Sequence, residues 1–138
     1  TITGSDDEIY EPSRSYLKEK NLLPDYEGWN PSILDQSYDA VILGMHAKKD
    51  NPELLKAQTL GLKIYSFPEY IFEQSRDKQR IVIAGSHGKT TTTALITHVL
   101  NYHKRKFDYV IGARVNGITN TVKLSDAPII VIEGDEYL

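Results

Sequence analysis

Arg80-Ile81-Val82-Ile83-Ala84-Gly85-Ser86-His87-Gly88-Lys89-Thr90-Thr91-Thr92-Thr93 is the stretch that decides how this chain is read. Ile81 to Ala84 form a short apolar run bounded by polar and glycine residues, the pattern of a buried strand. A glycine-bearing turn leads from it straight into a helical run that begins at Lys89. Gly85 and Gly88 allow backbone N–H groups to turn inward with no Cβ in the way. Those donors, with the positive end of the helix dipole, form a site for a polyphosphate. Lys89 adds a point charge able to reach β- and γ-phosphates, and Thr90 a hydroxyl placed for a phosphate-bound Mg²⁺.

The general phosphate-loop pattern is G-x-x-x-x-G-K-[ST], and its first glycine position is occupied here by Ile83. The match is therefore to a shortened form, G-x-x-G-K-T, which draws its specificity from the strand before it and the helix after it. A glycine-rich turn that merely starts a helix is the competing reading. Four consecutive threonines argue against it, because β-branched residues are weak helix formers. His87 lies inside the loop, where a backbone N–H is the expected contribution rather than a catalytic side chain. His98 and His103 follow on the helix in surface or packing roles, too few for a metal cluster.

A second chemical signal is Pro128-Ile129-Ile130-Val131-Ile132-Glu133, an apolar strand that ends in a carboxylate. In a parallel sheet the carboxyl ends of strands and a phosphate loop share one edge. Glu133 is thus expected opposite Thr90, holding Mg²⁺ directly or through water, with Asp135 and Glu136 adding negative charge. The alternative for Glu133 is an ordinary polar turn after a strand.

Working outward, short apolar runs alternate with longer amphipathic ones, which predicts an α/β protein with a mainly parallel sheet. Thr1 to Gly4 read as a strand end, 12–20 as a helix, and 24–35 as a loop with room for a short strand. Tyr38 to Met45 read as a strand. Asn51 is an N-cap candidate and Pro52 an N1 residue for a helix that stops at Gly61. A strand over 63–67 and a helix over 68–75 follow. The apolar pattern lapses at Arg76-Asp77-Lys78-Gln79-Arg80, and a lobe boundary is placed there, giving lobes 1–78 and 79–138. The second lobe adds strands at 107–112 and 128–133, and a helix over 89–103 whose end carries the basic cluster Lys104-Arg105-Lys106.

Composition narrows the classes. A net charge of −3 is unlike the basic surplus of a nucleic-acid binder. The absence of cysteine excludes disulfides, thiolate metal sites and a cysteine nucleophile. No apolar run approaches the roughly 20 residues that cross a bilayer, so no membrane partner and a cytoplasmic location are expected. Thr1 begins and Leu138 ends in mid-pattern, which predicts a fragment of something longer.

Ala84-Gly85-Ser86-His87-Gly88-Lys89-Thr90-Thr91-Thr92-Thr93, followed by Ile132-Glu133-Gly134-Asp135-Glu136-Tyr137, resembles the Mur ligase family, ATP-dependent amino-acid ligases of peptidoglycan synthesis. Thr3-Gly4-Ser5-Asp6 and Asp50-Asn51-Pro52-Glu53-Leu54 resemble its branch acting on UDP-N-acetylmuramate. Tyr137, where the L-alanine-adding members typically carry serine, is closer to members that recycle murein tripeptide. The resemblance implies an incomplete Rossmann-like UDP-substrate lobe followed by the start of a P-loop ATPase domain. It implies ATP on Gly85, Ser86, His87, Gly88, Lys89, Thr90 and Thr91, and Mg²⁺ on Thr90 and Glu133. Lys89 and Glu133 become the catalytic candidates. UDP-N-acetylmuramate and an amino acid or peptide become the partners, joined through an acyl phosphate. Ser5 and Asp6 are substrate-binding candidates for a uridine sugar or base, and His46 and Asn51 for the diphosphate; for Asn51, simple helix capping stands as an equal alternative. Two rival readings remain: a P-loop NTPase or kinase of other specificity, and a non-catalytic nucleotide-binding fragment.

Overall fold

The computed structural model describes residues 2–44, 47–113, 115, 117–118 and 120–134. The chain divides into two compact units, Thr1–Tyr70 and Ile71–Leu138.

In the first unit a helix α1 (Ser13–Glu19) is followed by a 3₁₀ turn (Pro31–Ile33), a strand β1 (Val41–Leu43), a helix α2 (Pro52–Leu60) and a strand β2 (Ile64–Ser66). β1 and β2 pair in parallel, with Val41 opposite Ile64 and Leu43 opposite Ser66, so β1-α2-β2 is one βαβ unit. α2 is set by its ends. The Asn51 side chain accepts from the N–H groups of Glu53 and Leu54, Pro52 occupies the first turn, and Gly61 closes the helix at φ 68°. Leu54 and Ala57 supply its buried face. Of the strand end expected over residues 1–4, Thr1 lies outside the described residues and residues 2–4 form no strand: among the described residues no ladder partner is provided for them, and the first unit's sheet has two strands only. The 24–35 segment likewise forms the 3₁₀ turn rather than a strand, capped by Asn30.

A helix α3 (Phe67–Gln74) spans the division between units. The second unit then runs β3 (Gln79–Ile83), α4 (Lys89–Tyr102), β4 (Asp108–Val110), β5 (Val122–Lys123) and β6 (Ile129–Glu133). Its sheet has the order β3-β6-β4-β5, in which β6 is parallel to both neighbours and β5 is antiparallel to β4. β6 is thus the central strand, and Ile130 and Val131 are fully buried. Phe107, Ile129 and Val131 form a core against which Ile81, Ile83, Ile96 and Leu100 pack. That contact explains the α4 pattern: Thr93, Ile96, Thr97 and Leu100 lie on one side of the helix. The buried hydroxyls of Thr93 and Thr97 donate to the carbonyls of Lys89 and Ala94 within the helix, so their burial leaves no orphan donor.

α4 closes with Lys104 at φ 53°, its N–H on the Asn101 carbonyl and that of Arg105 on the Leu100 carbonyl. This is a Schellman turn with lysine in the left-handed position. The basic cluster therefore sits just beyond the helix end, where the dipole favours cations.

At the amino ends of the strands Asp108 is fully buried. Lys78 Nζ meets Asp108 Oδ2 at 2.7 Å and the Ala127 carbonyl at 3.0 Å, and also contacts the Ser125 carbonyl. The Ser125 hydroxyl donates to Asp108 Oδ1 at 2.6 Å and its N–H to Oδ2 at 2.9 Å. Burial pushes the Asp108 carboxyl up, but the hydrogen bonds from Lys78 and Ser125 outweigh it and hold the group below its ordinary value of 3.8. The resulting stability is complete above 3.8 and is lost as pH falls through the lowered folded value. Lys78→Met would strand a buried carboxylate, and a loss of about 3–5 kcal/mol is expected in urea denaturation at neutral pH. Asp108→Asn should show a shallower fall in stability on acidification than the wild type.

Candidate functional site

The register between β3 and β6 places Ile83 opposite Glu133. A strand-ending carboxylate therefore stands next to the point where β3 turns into the glycine loop. Gly134 continues this approach: its N–H donates to the Ile83 carbonyl at 2.8 Å, and a Cβ added there would lie 3.1 Å from that same oxygen. The β6 end is held against the loop start at a distance that only glycine permits without movement.

The loop itself is sharply bent. Gly85 has φ 144° and Gly88 φ 75°, both backbone conformations that side-chain-bearing residues rarely adopt. Gly88 is the N-cap of α4 and uses no side chain for capping. The first intrahelical bond from α4 runs from Thr92 N–H to the Gly88 carbonyl at 2.9 Å. Amides in the first turn of a helix have no acceptor inside it, which makes the N-terminus of α4 a ready anion site. Ser86 and His87 are exposed in the loop, and Lys89 reaches back so that Nζ donates to the Gly85 carbonyl at 2.6 Å.

Thr90 and Glu133 meet. The threonine hydroxyl donates to Glu133 Oε1 at 2.6 Å, while Oε2 accepts the Gly112 N–H at 2.9 Å. The structure thus gathers Gly85, Ser86, His87, Gly88, Lys89, Thr90, Thr91 and Glu133 at the carboxyl edge of one sheet. Gly112, at the carboxyl end of β4, belongs to the same edge and went unnoticed in the sequence. Only its position at the end of the strand pattern 107–112 marked it. Among the described residues no group of three or more His, Cys, Asp or Glu side chains gathers as a metal cluster. A hydroxyl and one carboxylate nonetheless suit Mg²⁺, which takes hard oxygen ligands and keeps several from water and phosphate.

The first-unit candidates are arranged differently. Ser5 donates to Glu53 Oε1 at 2.9 Å, and the Asn30 N–H donates to the same oxygen at 2.8 Å. Asp6 caps its own turn through Asp7 N–H, and its carbonyl receives the Gly28 N–H at 2.8 Å. Ser5 and Asp6 line a cleft of about 360 Å³ with Ile9, Tyr10, Leu17 and Leu22. Asn51 is buried with its carbonyl oxygen committed to both cap bonds, so the capping geometry is present in full. His46, like Asp135, Glu136 and Tyr137, lies outside the described residues.

No protein-family model matches the sequence. Individual relatives do. The UDP-N-acetylmuramate–L-alanyl-gamma-D-glutamyl-meso-2,6-diaminoheptandioate ligase of Haemophilus influenzae is 33% identical across 99% of this chain, and the UDP-N-acetylmuramate–L-alanine ligase of Persephonella marina is 37% identical across 99%. The crystal structure of the L-alanyl-gamma-D-glutamyl-meso-diaminopimelate ligase from Neisseria meningitides superposes with a TM-score of 0.83 at 29% identity, covering 98% of this chain and 45% of that one. This stretch of chain belongs to the Mur ligase family. A murein peptide ligase from Psychrobacter arcticus likewise gives a TM-score of 0.83 at 28% identity, over 99% of this chain and 33% of that one. The chain spans about 30% of the length of the two curated Mur ligases. Its α/β architecture with mainly parallel sheets is the fold of these ligases, as the sequence pattern predicted.

Gly88→Ala should cost about 1–2 kcal/mol of stability, the strain of a Cβ in the left-handed region. Equilibrium urea denaturation checks this, and Ser86→Ala, which asks nothing new of the backbone, serves as the unstrained control.

Proposed function

We propose that this Mur ligase chain takes part in joining the carboxylate of a UDP-N-acetylmuramate-type substrate to the amine of an amino acid or peptide at the expense of ATP. In this reading residues 79–138 begin the ATP-binding domain and residues 1–78 belong to the UDP-substrate domain. The observation that carries the reading is the meeting of Thr90 and Glu133 beside a glycine loop that opens a helix. It is the donor set that a Mg²⁺–triphosphate requires at the carboxyl edge of a parallel sheet.

In the proposed reaction the muramyl carboxylate accepts the terminal phosphoryl group of ATP, and the amine then displaces phosphate from the acyl phosphate and gives up a proton. The main-chain amides of residues 85–90 and the Lys89 ammonium offset the charge that builds on the phosphoryl oxygens. Lys89 leaves the Gly85 carbonyl to do so. Thr90 and Glu133 would hold Mg²⁺, which when bound neutralises phosphate charge and orients the β- and γ-oxygens. Glu133 is half-buried and parallel-paired through its own backbone, so its carboxylate is positioned before any ligand arrives.

The cleft along Ser5 and Asp6 is of the size that holds part of a small ligand, and we assign the UDP-sugar to that lobe. For the amine we favour the murein tripeptide over L-alanine, on Tyr137 and on the likeness to two solved peptide ligases. The proposed location is cytoplasmic, where ATP and the UDP-sugar are found together. Among the described residues no helix is long and apolar enough to cross a membrane.

The full-length polypeptide carrying this sequence should release phosphate from ATP only when UDP-N-acetylmuramate and the right amine are both supplied, the tripeptide giving turnover and L-alanine little. Lys89→Ala should abolish release. Turnover without a muramyl substrate would identify a simple NTPase instead.

A further inference from the structure

Gly112 contributes two things to the carboxyl edge, and each acts on Glu133. Its N–H donates to Oε2 at 2.9 Å. Its missing side chain leaves room for the same carboxylate: a Cβ at residue 112 would lie 3.3 Å from Oε1, 3.4 Å from Cδ and 3.6 Å from Oε2. The sheet brings this about. β4 and β6 run parallel in register, Val110 opposite Ile132, so Gly112, two residues past the end of β4, falls beside the end of β6 that carries Glu133.

The two oxygens of Glu133 therefore have different partners. Oε1 takes the Thr90 hydroxyl and Oε2 takes the Gly112 amide. A hydroxyl can rotate its hydrogen away and offer a lone pair to a cation, whereas an amide N–H can only donate. When a cation replaces the Thr90–Glu133 hydrogen bond, the Gly112 bond has no reason to break. It fixes the plane of the carboxylate in both states.

We propose that Gly112 is a positioning residue for the cation site, holding the Glu133 carboxylate edge-on so that Oε1 faces Thr90. This rests on the reading of Thr90 and Glu133 as the Mg²⁺ ligands. A side chain at 112 displaces the carboxylate by a few tenths of an ångström and tilts it away from Thr90. Groups that orient a metal ligand through a hydrogen bond typically set 10–100-fold of metal affinity.

The test uses the full-length polypeptide, MgCl₂ and a non-hydrolysable ATP analogue, with binding followed by calorimetry. Gly112 is not one of the left-handed glycines, so alanine is compatible with its backbone. Gly112→Ala should weaken Mg²⁺ binding at saturating analogue by about tenfold or more. Analogue binding in EDTA should be unchanged, because the loop amides and Lys89 are untouched. In a Glu133→Ala background, adding Gly112→Ala should produce no further loss of Mg²⁺ affinity, since its target is gone. Equal Mg²⁺ affinity in wild type and Gly112→Ala overturns the proposal. So does an undiminished penalty in the Glu133→Ala background, or a parallel loss of analogue binding in EDTA. A wild-type protein that binds neither analogue nor Mg²⁺ overturns the site reading itself, a result distinct from all of these.

Discussion

β6 is hydrogen-bonded on both sides, and both of its neighbours run parallel to it. Such a strand is covered above and below, so it must be apolar along its length; Ile129, Ile130 and Val131 are all buried. Its last residue is the first position where a charge can emerge. Because the pairing is parallel, that position is also where β3 leaves the sheet for the glycine loop. A slip of one residue in the β3–β6 register would send the Glu133 side chain to the other face and separate it from Thr90. The chemistry of the edge therefore depends on a backbone register that the apolar side chains of β6 enforce from within the core.

The opposite end of the same sheet is closed by charge. Lys78, Asp108 and Ser125 join the approach to β3, the start of β4 and the turn before β6. Buried ionic groups of this kind contribute less net stability than their short distances suggest, because both ions have left water. What they contribute is a defined arrangement: Lys78 satisfies two backbone carbonyls besides Asp108, so an alternative register would leave several buried groups unpaired. One end of the sheet is thus pinned by a polar network, and the other carries the positive-φ glycines Gly85 and Gly88 and the proposed ligand site.

Much of this was legible in the residues. The strand-loop-helix passage from Ile81 to Thr93, the α2 caps at Asn51 and Gly61, and the β6 run ending at Glu133 each have a local cause, and local causes can be read from sequence. The Thr90–Glu133 meeting followed from one rule about parallel sheets. β5 was not legible. It is two residues long, Val122 and Lys123, too short for periodicity to show, and it exists only because β4 offers it an antiparallel edge. Lys78 was hidden inside a polar run that read as a lobe boundary, since its burial is decided by Asp108, thirty residues away. An aspartate within the otherwise apolar Phe107-Asp108-Tyr109-Val110 was the available clue, because a buried carboxylate demands a cation. Gly112 was missed for a similar reason: its importance lies in a side chain on another strand.

In the proposed function the main-chain amides of residues 85–90 close around an anionic polyphosphate beside Glu133. Titrating isotopically labelled full-length polypeptide with Mg²⁺ and a non-hydrolysable ATP analogue, while following assigned amide resonances, addresses it directly. Large saturable shifts are expected at residues 85–91 and at Gly112 and Gly134, with little change at the amino ends of the strands near Lys78 and Ser125. Saturable binding that leaves the loop amides unmoved while perturbing another surface would place the polyphosphate elsewhere and rule this loop out as its site.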